Sequence, residues 1–425
     1  MDHVITNARI FDGHHLTEHR AIGISNGRTE VLGGAELANR ARSVLDARGG
    51  TLMPGLIDAH LHLLPGAARQ SLTFGVTTGI DQFSKPDLFT SILAENHRAD
   101  VAEIYTSGIG ATAPGGHPTM AYSPFPYVTG PDQAASFVAD RKAEGSTHLK
   151  VLYDDGSTSP MPMPSLDLAT VRALVVAAHE AGMLVVAHVT SAAAAVHVVE
   201  QGVDVLAHAP FEELNSTQLD AIAAAGTPVI ATLAIADGFP DAGGHMPLLT
   251  RPHLAARLGV GWRGMLQRQA QRWMPPGLPD FSTSRRNVGE LHSRGVPILA
   301  GTDAPNPGMV HGASLHRELE HLVLAGLSPV AALQAATSVP AAVFGLTDRG
   351  QIRPGARADL LLVPGQPDHD ITATQDVTAV WKQGERVDLD AYADSPHEQT
   401  GLAALQATND KILATIQDTW PGFNS

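Results

Sequence analysis

The chain has 425 residues, 44% of them apolar and 17% charged, which is too apolar for a disordered chain and long enough for a large core. Its 28 basic and 43 acidic residues give a net charge of −15. That balance repels phosphates and argues against nucleic acid or an anionic membrane as the main partner, but ordinary solubility explains it equally well, and the small-molecule substrate expected below rests on other residues. There is no cysteine, so disulfides, thiolate metal sites and cysteine nucleophiles are excluded, and a cytoplasmic location is expected. Residues 1–10 lack a basic stretch followed by an apolar core, so no signal peptide is expected. Apolar runs such as 184–189 are too short to span a bilayer.

In chain order, the first fifty residues read as short strands at 4–10, 21–25, 30–33 and 43–46, punctuated by Asp-Gly, Asn-Gly and Gly-Gly turns. The same texture returns at 350–363 and 377–387, where Gln383-Gly384 supplies a hairpin turn. Residues 1–52 and 348–397 are therefore expected to form one small β-sandwich domain built from both chain ends. Between them, 53–347 alternates apolar runs at 56–62, 76–81, 102–110, 147–153, 183–189, 203–209, 228–233 and 296–303 with amphipathic stretches, among them 131–144, 166–181, 192–201 and 217–225. Such alternation predicts an α/β fold, a (β/α)8 TIM-type barrel, with a doubly wound open sheet as the competing arrangement.

One connection, 234–295, is too long for a simple crossover. It carries Trp262, Met265 and Trp273 and the arginines Arg251, Arg257, Arg263, Arg268 and Arg272. It reads as a lid or pocket wall, or else as a solvated helix pair. Residues 398–425 read as a terminal helix, over 398–416, and a tail.

The chemistry gathers at strand ends. His60 and His62 form His-Leu-His at the end of the first strand, where residues i and i+2 share a face. Lys150 ends the fourth, His188 the fifth, His208 the sixth and Asp303 the eighth. Active sites of such barrels lie at these carboxyl ends. A core histidine bonded to a backbone carbonyl explains any one of these residues, but not all of them together. Lys150 is the unusual member: a buried ammonium ending an apolar strand is costly unless paired. Either it forms a salt bridge with Asp154 or Asp155, or it is neutral and free to add carbon dioxide as a carbamate.

The run Pro54-Gly55-Leu56-Ile57-Asp58 before His60-Leu61-His62, together with Lys150, His188, His208 and Asp303, resembles the amidohydrolase superfamily. The entry strand at 5–13 and the exit segments at 331–337, 350–355 and 358–360 are similar too, so the likeness covers nearly the whole chain. Gly115-Gly116-His117, Leu149-Lys150-Val151, and His311-Gly312-Ala313-Ser314-Leu315 followed by Arg317-Glu318-Leu319 resemble the imidazolonepropionase-like and Xaa-Pro dipeptidase-like branch. The resemblance implies two divalent metal ions, preferably zinc. His60, His62 and Asp303 would hold the more buried ion, His188 and His208 the more exposed one, and carboxylated Lys150 would bridge them. A hydroxide between the ions would attack an amide carbonyl. Asp303, bound to one metal only, would be the catalytic base and then the acid.

Imidazolonepropionases and mononuclear deaminases lack a bridging lysine, so Lys150 counts against both. His117 is the expected transition-state donor, unless it is a surface loop residue. Tyr153, His311, His316 and Trp262 are candidate substrate contacts, with Trp273, Tyr122, Phe125 and Tyr127 as further pocket candidates. The arginines of 234–295 and the branch resemblance suggest a substrate with a free carboxylate, a dipeptide or N-acyl amino acid. A lactone, ester or phosphotriester hydrolase is the closest alternative; a mononuclear deaminase and a non-catalytic scaffold are the others. A homo-oligomer is common for such folds.

Overall fold

The structure, a computed structural model, describes residues 1–158, 163–241, 243–272 and 280–419. Eight parallel strands run through the middle of the chain. They are β1 (Leu56–Leu61), β2 (Val76–Asp81), β3 (Glu103–Thr106), β4 (His148–Leu152), β5 (Leu184–His188), β6 (Val205–Ala207), β7 (Val229–Ile230) and β8 (Ile298–Leu299). β1, β2 and β3 form one ladder, and β4 to β8 form a second in sequence order. Single parallel bridges join the two ladders at both edges, Leu61 to Ala304 and Ala111 to Val151. All residues of β1, β2 and β4 are buried. That explains their near-continuous apolar sequence, since strands covered on both faces have no solvent side to alternate toward.

Helices separate the strands, and local sequence starts them. Asp167 accepts from Thr170 N and Ser191 from Ala194 N at their helix N-termini. Asn215 and Gln218 form a reciprocal capping box before Ser216–Ala225. The expected stretch 131–144 is a short 3₁₀ turn followed by a helix, Ala134–Glu144.

The chain ends fold together in two sheets. One has the order Arg28–Gly33, Ala21–Ser25, His3–Thr6, Ser43–Asp46. The other has the order Glu385–Arg386, Ala379–Lys382, Leu360–Val363, Thr51–Pro54, Arg9–Ile10. Their apolar faces share a core in which Ile5, Ile22 and Ile24 meet Leu52, Leu360 and Trp381. The expected strand at 4–10 is broken at Asn7, whose φ of 52° ends one strand and starts the next in the other sheet. Asn26-Gly27 and Gln383-Gly384 take left-handed conformations, as tight hairpins require.

The region 234–295 is not one solvated helix pair. Pro252–Ala256 and Val260–Gln269 pack around Met246, Leu258 and Trp262 against Leu405 of the terminal helix Pro396–Thr419. Phe281–Ser293 instead packs beside the strands, its Asn287 amide donating to Pro210 O at 2.9 Å. Among the described residues no helix is long and apolar enough to cross a membrane.

Candidate metal centre

His60 lies in β1 and His62 just past it, and their imidazoles turn to the same side. Both reach Asp303 Oδ1 through Nε2, at 3.4 and 3.0 Å. Asp303 is placed by the β1–β8 seam: its backbone N–H donates to His60 O at 2.7 Å, and its φ is 57°. Asp58 locks that seam. Its carboxylate accepts from Thr302 Oγ1 at 2.7 Å, Thr302 N at 3.0 Å and His60 N at 3.1 Å. Burial lifts the Asp58 carboxyl to about 7 against the pull of these donors.

On the other side, His188 ends β5 and His208 follows β6. His208 Nε2 faces His188 Nδ1 at 3.1 Å. Each imidazole is aimed from behind: His188 Nε2 meets Asp154 Oδ2 at 3.2 Å, and His208 Nδ1 meets Thr232 Oγ1 at 2.6 Å. A carboxylate behind a ring fixes its tautomer and leaves the other nitrogen's lone pair for a ligand; a hydroxyl fixes the ring's orientation and can accept from its N–H in the same way. The rings of His60 and His208 lie 4.6 Å apart. Ligand-type atoms of His60, His208 and Asp303 all fall within 4.8 Å of one another.

The electrostatics match that grouping. Burial holds the His60 and His208 imidazoles well below the usual histidine range, with Lys150 adding to the effect, so both are neutral donors. Burial alone would raise Asp303, but the hydrogen bond and the charge of the neighbouring His62 hold it down at about 2. It is therefore an ionised carboxylate. Lys150 Nζ is buried without any hydrogen-bond partner, and burial pushes the amine down to about 7. The salt bridge to Asp154 or Asp155 is not formed. Asp154 is committed to His188 and to Thr190 Oγ1 at 3.0 Å.

Neutral imidazoles, an ionised carboxylate, and unpartnered buried atoms on Lys150 (Nζ) and His60 (Nδ1) form a donor set that fits divalent metal ions. The His188–His208 nitrogen pair, at 3.1 Å, is spaced to share one cation.

The other expected contacts divide. His117 stacks on His188, ring centroids 4.6 Å apart, and burial pulls it down to about 3. Tyr122 lies 6.2 Å from the His62 ring and 5.0 Å from Phe83, which also meets Phe125; Phe125 in turn meets Tyr127. Tyr153 instead turns to the His197 ring, 6.4 Å away on the helix Ala192–Glu200 after β5. His311 is fully buried and spends Nε2 on His62 O at 2.8 Å; His316 spends its own on Phe74 O at 2.9 Å. Trp262 sits in the apolar core described above, because helix Val260–Gln269 turns its indole inward against the terminal helix.

The arginines are mostly spent on architecture. Arg251 pairs with Glu320 at 2.9 Å, Arg257 donates to Val377 O, Arg263 to Leu258 O at 2.6 Å and Arg272 to Gly238 O at 2.6 Å. Arg268 lies along its own helix beside Met265. Trp273 falls outside the described residues. Sequence reading assigned no role to Asp58 or Thr232, and considered Asp154 only as a partner for Lys150. Their side chains matter through contacts that only the tertiary structure creates.

The amidohydrolase family profile matches residues 51–387. Over 413 residues the chain is 24% identical to an adenine deaminase of Lysinibacillus sphaericus (strain C3-41), covering 91% of this chain and 57% of that protein. Over 101 residues it is 39% identical to an imidazolonepropionase of Deinococcus deserti (strain DSM 17065 / CIP 109153 / LMG 22923 / VCD115), covering 23% and 25%. The matches thus span less than two thirds of these curated relatives. A crystal structure of a Xaa-Pro dipeptidase with methionine bound in its active site superposes with a TM-score of 0.72 at 22% identity, covering 90% of this chain and 99% of that one. That likeness carries an α/β domain of TIM-barrel type. Given the span of the family profile, the chain belongs to the amidohydrolase family.

Proposed function

We propose that this protein is a metal-dependent hydrolase of carbon–nitrogen bonds with a binuclear centre, and that its substrate is an amide. The observation that carries the reading is the buried, unpartnered amine of Lys150, lowered to about 7, on the strand between the two histidine pairs. A neutral amine adds carbon dioxide to give a carbamate, whose two oxygens suit a bridge. The eight strands are read as a closed barrel (residues 53–347) with the centre at its mouth. The two end segments, 1–52 and 348–397, are read as a β-sandwich beside it, and 398–425 as a terminal helix and tail.

His60, His62 and Asp303 would hold one ion and His188 and His208 the other, with carboxylated Lys150 between them; imidazole-rich donors favour zinc. When bound, such ions polarise a carbonyl and bring a water's pKa toward neutrality. The chain's own groups do the rest. Asp303, ionised and 3.0 Å from His62, accepts the water's proton and returns it to the leaving nitrogen. His117, neutral and stacked on His188, stands where a donor meets developing negative charge on the carbonyl oxygen. Asp154, Thr232 and Asp58 keep the ligands aimed.

The carboxylate class of substrate, dipeptides and N-acyl amino acids, loses its arginine rationale, because at least four of the five arginines are committed elsewhere. It keeps the support of the dipeptidase-like fold, and neutral amides join the screen on equal terms. The second reading is a deaminase, favoured by the curated adenine deaminase relatives. Lactones, esters and phosphotriesters would use the same groups. Product analysis separates these readings: an amidase liberates an amine and a carboxylate, a deaminase ammonia, and an esterase an alcohol.

A further inference from the structure

The segment from His311 to His321 contains a motif prominent in the sequence, and no step of the chemistry above uses it. Its helix, Ala313–Leu324, is buried over most of its length and carries an unusual density of polar groups for such a position. Those groups converge on one turn. Glu318 Oε2 accepts from Ala234 N at 2.6 Å. Arg317 grips Asp237 at 2.6 Å, and His321 Nε2 meets the same carboxylate at 2.9 Å. The turn that they hold, just past β7, begins at Thr232. That residue is β-branched, its φ is 46°, and its hydroxyl lies 2.6 Å from His208 Nδ1.

We infer that Thr232 and Glu318 are positioning residues of the metal centre: Glu318 holds the turn after β7 in shape, and Thr232 in that turn fixes the ring of His208 with Nε2 directed at the cluster. The inference rests on the reading of His208 as a metal ligand. Each component is costly for stability alone. A left-handed conformation is unfavourable for a branched residue. A fully buried carboxyl group with one oxygen unpartnered is costly too. Burial raises that acid to about 8, so near neutral pH it is largely uncharged. An apolar pair would pack this site more cheaply. What the arrangement gains is the orientation of the ring: Thr232 Oγ1 can accept from Nδ1–H, and in that tautomer His208 Nε2 carries the free lone pair toward the cluster. The same segment also steadies the opposite side, since His311 Nε2 donates to His62 O at 2.8 Å. One segment, His311 and the helix after it, thus braces ligands on both sides of the centre.

The test is zinc titration of chelator-stripped protein in bicarbonate buffer against a chromophoric competitor. Wild type, Thr232→Val, Thr232→Ser, Glu318→Gln and Glu318→Ala are compared, with thermal unfolding of each metal-free form alongside. Thr232→Val keeps shape and loses the hydroxyl. It should weaken the looser zinc site about 10–100-fold without lowering the metal-free Tm, and Thr232→Ser should restore binding. Glu318→Ala should weaken zinc in the same way, and Glu318→Gln, which keeps an acceptor for Ala234 N–H, should not. The Thr232→Val, Glu318→Ala double variant should lose less than the sum, because both act through one turn.

Wild-type zinc affinity in Thr232→Val, or equal loss in Thr232→Ser, overturns the inference and leaves the metal centre standing. Absence of zinc binding by the wild type overturns the reading beneath it instead. If Glu318→Ala does not fold, the two Thr232 variants still decide the question.

Discussion

Lys382 and Lys150 both lie within β-strands, 0% and 1% exposed. Lys382 Nζ stands 3.3 Å from Asp359 Oδ2 and 3.6 Å from Glu103 Oε2. Arg349 joins the same cluster on Glu103 at 3.1 Å and Asp348 at 2.9 Å, and Arg357 joins it on Asp359 at 3.2 Å. This group ties β3 to the sheets formed by the chain ends. Lys150, by contrast, has no hydrogen-bonded partner, although the charges of Asp303 and Asp81 reach it. An ammonium buried for architecture is neutralised where it lies, because an uncompensated buried charge is costly. An amine left unpaired inside a protein signals a partner that arrives later, such as carbon dioxide and metal ions. The contrast teaches that burial does not mark the functional lysine; the absence of a directly bonded carboxylate does.

The largest effect tests the reactive side of this contrast. Asp303→Asn keeps the shape of the carboxylate but cannot shuttle a proton, so kcat/KM on any amide substrate should fall about 10²–10⁴-fold. Steady-state kinetics on the first substrate found will check this.

The next prediction sets the two lysines against each other. Lys382→Met removes one of the cations facing Asp359 and Glu103, leaves Arg349 and Arg357 in place, and should cost about 1–3 kcal/mol of stability. Lys150→Met removes an unpaired buried amine, so the metal-free protein should be unchanged or more stable by about 1–4 kcal/mol. Urea unfolding of the metal-free proteins reads both, and equal destabilisation would erase the contrast.

A third prediction concerns the ligand's rear partner. Asp154→Asn weakens the hold on His188 and should lower zinc affinity about 10–100-fold, measured by competition titration.

The smallest effect is the dependence of stability on pH. Lys150 binds its proton less tightly when folded, with a pKa of about 7 against 10.5 for the unperturbed side chain. Between those values the unfolded chain holds more protons. This group therefore makes metal-free stability rise with pH from about 7 toward 10.5, and contributes no slope below that window. Lys150→Met should flatten the curve there, as denaturant unfolding at several pH values will show.

The site was legible in sequence because its chemistry sits at strand ends, where period-two geometry and strand order locate it. His60, His62, His208 and Asp303 meet as the spacing implies. The strand cores were legible as apolar runs, but their ends were not. The run 296–303 yields only Ile298–Leu299, because Ala300 to Asp303 leave the ladder to bond β1 through Ala300 O and His60 O. The expected strand at 350–363 narrows to Leu360–Val363, since Gly350 and Gly355 take positive φ in turns before it. Partner choice was the least legible property. The arginines of 234–295 resemble anion binders until Glu320 and backbone carbonyls from distant segments claim most of them. Trp262 resembles a pocket wall until Leu405 packs on it. Such contacts link residues 34 to more than a hundred positions apart, and local sequence carries no trace of them.

The most direct measurement is metal content per subunit, by elemental analysis of wild type and Lys150→Ala purified without chelator in the presence of bicarbonate. About two equivalents in the wild type, falling to one or fewer in the variant, is the expected result for a centre bridged by Lys150. One equivalent in both proteins would contradict the bridge and turn the substrate search toward deamination.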